Sequence, residues 1–126
     1  MAVISIVFLL TLFLAGFFIN LLYELLHSLL YTTCLNAPLQ KYVYLMLKAA
    51  IFDGLAIALI YYIVRGNVWL FVIAALVFAY AWEWHSLREK KWEYSAKMPR
   101  MLGVGATPLF QLAFTGLLSL YIVFHF

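Results

Sequence analysis

From its first residues the chain sets long apolar runs between short polar interruptions, and within the runs apolar side chains fill consecutive positions instead of every second one. A hydrocarbon layer ~30 Å thick needs about 20 helical residues to cross it. Four runs meet or nearly meet that length, and they predict membrane helices over residues 3–31, 42–64, 68–86 and 108–126. Strands fit poorly, because a closed membrane barrel needs ~8 alternating strands of about 10 residues. The expected fold class is an all-α integral membrane protein, a four-transmembrane-helix bundle forming a single domain over residues 1–126. The first run lacks a basic leader and a small-residue exit and continues past Phe18, so it reads as a retained helix and not a cleaved signal.

Composition strengthens this picture. The chain is 68% hydrophobic and 10% charged, whereas soluble domains are nearer a quarter charged. Its net charge of +3 comes from one basic loop, residues 87–107, which carries Arg88, Lys90, Lys91, Lys97 and Arg100. Lys41 and Lys48 flank the first loop and Arg65 stands alone in the second. Since Lys and Arg favour the cytoplasmic side, loops one and three are expected in the cytoplasm and both termini outside. The basic loop suits anionic lipid headgroups as partners, and no nucleic-acid module is recognisable. A shift of 58 residues superposes His27-Ser28-Leu29 on His85-Ser86-Leu87 and Phe52-Asp53 on Phe110-Gln111, which would make the bundle two parallel helical hairpins.

Against this apolar background the polar residues stand out. Asn20, Glu24, His27 and Tyr31 fall within about 60° of one another on a helix, so they form one stripe towards the inner end of the first helix. Asp53 shares a face of the second helix with Ala49, Ala50 and Ala56, and small residues are what close helix packing in lipid demands. Glu83 shares a face with Ala79 and Tyr80, while His85 points away to the interface. Gln111 and Thr115 share a stripe of the fourth helix. Charge at the bilayer centre costs at least ~2.5 kcal/mol on insertion scales, so Asp53, Glu83 and Glu24, with His27, are the candidate acid/base groups. Asn20, Tyr80, Gln111, Thr115, Lys97 and Arg100 are the candidate substrate-binding residues.

Structural readings compete for several of these. Gln111 and Thr115 also serve as interhelical hydrogen-bond glue. Trp69, Trp82, Trp84, Trp92 and Tyr94 suit an interfacial aromatic belt, and Lys48 suits a snorkelling anchor. Glu24-x-x-His27 has the spacing of di-iron carboxylate bundles, but Glu83-x-His85 does not repeat it. A mononuclear site from Glu24, His27, Asp53 and Glu83 is the metal alternative, and no metal or other cofactor is expected. No Ser-His-Asp set can be singled out. Cys34, the one cysteine, reads as a free thiol without a chemical role.

In the third loop, Pro99 and Pro108 bracket Gly103-Val104-Gly105, and Pro108 suits the first turn of the fourth helix. That helix start, near Lys97 and Arg100, has the character of an anion site. The order Trp82-Glu83, Trp92-x-Tyr94, a proline and glycine loop, then Pro108-Leu109 resembles the small membrane-embedded carotenoid (lycopene) cyclases, over about residues 82–111. The resemblance implies a hydrophobic polyene substrate, with Glu83 at the family's acid after tryptophan. The family's paired acids, associated with protonating the polyene, fall at Phe110-Gln111 here, so acid would have to come from Glu24 or Asp53. The expectation is binding, or acid/base modification, of an isoprenoid or other lipid. The alternatives are a small proton-coupled transporter or channel, and a structural subunit that pairs with its own copies or with a larger membrane complex.

Overall fold

The structure, a computed structural model, describes residues 4–125. It contains five α-helices: α1 (Ile6–His27), the short α2 (Thr32–Leu35), α3 (Leu39–Ile63), α4 (Val68–Arg88) and α5 (Ala106–His125). All but α2 are long and apolar enough to cross a membrane, the architecture of a multi-pass membrane protein. A single 3-10 turn, Ser28–Leu30, extends α1, and a two-stranded hairpin, β1 (Arg100–Met101) with β2 (Val104–Gly105), precedes α5. The predicted starts at residue 3 and end at residue 126 lie outside the described residues.

Local chemistry sets the helix ends. The Ser5 hydroxyl accepts from the Phe8 amide at 3.0 Å, and the Asn67 side chain accepts from the Leu70 amide at 3.1 Å, so each supplies an acceptor to an orphan donor of a first turn. α3 begins at Leu39, earlier than the predicted residue 42, because Pro38 in extended conformation serves as its cap. α5 begins at Ala106 and not at Pro108. Proline is tolerated there because the first helical amides have no intrahelical acceptor. α1 stops at His27, and Tyr31 adopts extended backbone.

α1 packs closely on α3, α5 on α4, and α1 on α5, leaving α3 and α4 more loosely joined. At the α1–α3 crossing a Cβ on Gly54 would lie 3.0 Å from the Phe13 carbonyl oxygen and 3.1 Å from the Phe17 nitrogen. A side chain there would push the two backbones apart by a few tenths of an ångström. The interior is divided along its length: one half is filled by Leu12, Ile57, Ile60, Phe71 and Leu120. Buried Asn20, Glu24, His27, Asp53, Glu83 and Gln111 occupy the half where α1 ends and α5 begins.

The third loop is ordered against this polar end. Tyr31 and Tyr94 form an antiparallel bridge, with the Ser95 amide donating to the Leu30 carbonyl at 2.7 Å and the Thr32 amide to the Glu93 carbonyl at 3.0 Å. The chain then reverses between β1 and β2 through Leu102 and Gly103, both at positive φ, a geometry that glycine adopts at little cost.

Candidate functional site

Two hydrogen-bonded centres occupy the polar half. In the first, the stripe on α1 meets α3 and α5. The Gln111 amide nitrogen lies 2.7 Å from Glu24 Oε1, 2.9 Å from Asp53 Oδ2 and 3.0 Å from Asn20 Oδ1. The Asn20 oxygen is oriented by its own amide, which donates to the Gly16 carbonyl at 2.8 Å. Gln111 offers two hydrogens to three acceptors, so one acceptor must find its hydrogen elsewhere, and a protonated carboxyl group of the pair can supply it. The other oxygen of Glu24 faces His27 Nε2 at 2.7 Å.

The second centre is built on Glu83, which is 3% exposed. Its Oε1 accepts from the Trp92 indole at 2.9 Å and the Tyr31 hydroxyl at 3.3 Å, and also from the Tyr94 hydroxyl. Tyr94 in turn accepts the Gly105 amide at 2.8 Å. Glu83 therefore ties α4 to the third loop and to the segment after α1. Burial first, and then the Glu83 carboxylate, push the Tyr31 and Tyr94 hydroxyls well above the usual tyrosine range.

The remaining sequence candidates are placed as follows. Thr115 donates to the Gln111 carbonyl at 2.8 Å within α5, so its hydroxyl is committed to its own helix. Tyr80 donates to the Leu102 carbonyl at 2.9 Å and holds the β-hairpin. Arg100 lies over the Tyr94 ring, and Lys97 lines a groove described below. At the expected anion site at the start of α5, two of the nearby amides are already engaged. The Gly105 amide serves Tyr94 and the Ala106 amide donates to the Pro99 carbonyl at 2.7 Å. His85 is exposed while Glu83 is buried, as their angular separation predicts. Lys48 is exposed beside Tyr44.

Trp92 and Tyr94, read from sequence as members of an interfacial belt, instead supply donors to a buried carboxylate. Among the described residues no group of three His, Cys, Asp or Glu side chains is arranged to hold a metal ion. Of the four residues weighed as a metal set, Glu24 turns to His27 and Glu83 to its aromatic donors.

A groove of about 810 Å³ opens beside the first centre. Leu26, Leu29, Leu30 and Leu35 give it apolar walls, and Tyr23, His27, Ser95, Lys97 and Thr107 provide its polar positions. His27 belongs to both groove and cluster, for its Nδ1 lies 3.3 Å from the Thr107 hydroxyl. Tyr23 donates to the Thr107 carbonyl at 2.6 Å, fixing the start of α5 beside α1. A second groove of about 570 Å³, at the opposite end between α1 and α5, has no titratable side chain in its lining. The first groove is thus the one with access to chemistry.

Thr107 and Tyr23 are the site residues that sequence reading missed. The signal available for Thr107 was its place one residue before Pro108, at the helix start expected to form an anion site. No known protein family, curated protein or solved structure matches the chain.

Proposed function

We propose that the protein binds an isoprenoid or other lipid in the groove beside His27 and acts on it by acid/base chemistry, without a redox cofactor. One observation carries this reading: His27 joins a buried pair of carboxyl groups to an apolar groove whose polar positions include Lys97. Such a groove accommodates a hydrocarbon chain along the leucines, with a polar or anionic end towards Lys97. Glu24 and Asp53 form the proton reserve, and the imidazole passes a proton between that reserve and a bound molecule. Protonation of an alkene, the reaction implied by the resemblance to carotenoid cyclases, would draw on this reserve because Gln111 stands where an acid is expected. Glu83, with three donors on one oxygen, acts in this reading as the anchor of the loop that closes the groove. The basic loop lies on the cytoplasmic side.

A transporter is less favoured, because the polar lining gives way to the packed Leu12, Ile57, Phe71 and Leu120 half. Mass spectrometry of organic extracts from protein purified in mild detergent tests the proposal. The expected result is a stoichiometric isoprenoid or other lipid, reduced in Leu30→Trp, which fills the groove, and altered in Asp53→Asn. Extracts with no such lipid from a folded parent protein would overturn the reading and favour a structural subunit.

A further inference from the structure

The contacts of His27 extend beyond proton storage. With Glu24 accepting at Nε2, the hydrogen of a neutral imidazole sits on that nitrogen and Nδ1 carries a lone pair. That lone pair faces Thr107 Oγ1 at 3.3 Å. Glu24, His27 and Thr107 thus form a carboxylate–imidazole–hydroxyl chain, the connectivity by which a base activates a hydroxyl nucleophile and a third group orients the base. Sequence could not reveal it, because Thr107 is 80 residues from His27 and on the far side of the third loop. The hydroxyl has a second acceptor, the Met98 sulfur, also at 3.3 Å. A thioether is a weak acceptor, so rotation of the hydroxyl about the Thr107 Cβ–Oγ1 bond turns the hydrogen from the sulfur to the imidazole.

We propose that Thr107 is a nucleophile and that the site cleaves or transfers the acyl group of an ester-bearing lipid. This deepens the lipid reading of the groove and rests on it. Thr107 and His27 both line the groove, so an acyl chain lying along Leu26, Leu29 and Leu30 brings its ester to the hydroxyl. The Thr107 oxygen attacks the ester carbonyl while His27 Nδ1 takes the hydroxyl proton. Lys97, on the same groove, supplies positive charge for the oxyanion that develops. The ester C–O bond then breaks, His27 returns the proton to the departing alcohol, and the acyl group remains on Thr107. Water reverses these steps: its proton passes to His27, its oxygen attacks the acyl carbon, and Thr107 leaves and regains a proton. The products are a carboxylic acid and an alcohol, with no oxidant or reductant consumed. Glu24 is a positioning residue that acts through His27.

A long-chain alkyl fluorophosphonate, which phosphonylates activated hydroxyls, tests this on the full chain in detergent and in native membranes. Intact-mass analysis is expected to show one adduct per chain, mapped to Thr107. The adduct is retained in Thr107→Ser, lost in Thr107→Val, and formed about 10²-fold more slowly in His27→Gln. Glu24→Gln is expected to move the pH at which labelling is half-maximal, which lost packing alone would not do. No adduct at Thr107 in the folded parent, or equal labelling of Thr107→Val, overturns the proposal. A co-purifying lipid found alongside that failure would leave the groove reading standing and remove only the nucleophile.

Discussion

Gln111 holds the first centre together. Its amide is shared among Asn20, Glu24 and Asp53, which reach it from two other helices, and each acceptor left without a donor costs about 1–3 kcal/mol. Gln111→Leu is therefore expected to lower the thermal unfolding midpoint in detergent by the equivalent of at least one such loss. Gln111→Glu removes the same donor and adds a third carboxyl group. Its loss should be larger near neutral pH and partly reversed on acidification, when protonation restores a hydrogen to the cluster. A Gln111→Leu protein as stable as the parent would show that the amide does not hold the centre. The stripe of Asn20, Glu24 and His27 was legible from the helical period, as was the inward direction of Asp53 and Glu83. The convergence of three acceptors on one nitrogen was not, because it depends on how α1, α3 and α5 are rotated against each other.

Among the elements, the four long helices were readable from apolar run length alone, since lipid demands that length whatever the side-chain detail. The third loop was legible only in its punctuation. Pro99, Gly103 and Pro108 marked turns, but the role of Trp92 and Tyr94 depends on Glu83 from another element, and aromatic residues at a membrane surface are common enough to conceal it. This latch has a pH signature. Burial and Glu83 raise the Tyr94 hydroxyl above its ordinary value, so its hydrogen bond contributes fully at pH values below the ordinary tyrosine range, ~10. The contribution is lost as pH rises through the higher folded value, and Tyr31 acts in the same direction. Thermal melting should therefore show stability eroding above about pH 10. Tyr94→Phe should be less stable near neutrality by about 1–3 kcal/mol and show a smaller alkaline decline. An unchanged decline in Tyr94→Phe would assign the transition to other groups.

Across the whole molecule, both grooves and both centres follow from one asymmetry, an apolar half and a polar half of the same bundle. Asp53 and Gln111, equivalent under the 58-residue shift, meet at 2.9 Å, while His27 is buried and His85 exposed. Which membrane face the polar half adjoins rests on the distribution of Lys and Arg, and Cys34 provides a handle on it. This thiol lies in α2, near the polar end, and burial followed by the Glu24 charge pushes it above the usual cysteine range. Its thiolate, the reactive form, is scarce at neutral pH, so labelling should accelerate as pH rises. A membrane-impermeant maleimide at alkaline pH is expected to modify Cys34 in inverted vesicles and to spare it in intact spheroplasts, with a permeant maleimide labelling both. Labelling from outside would invert the bundle. His27, Thr107 and Lys97 would then face the exterior leaflet, and the lipid supplied to the groove would have to come from that side.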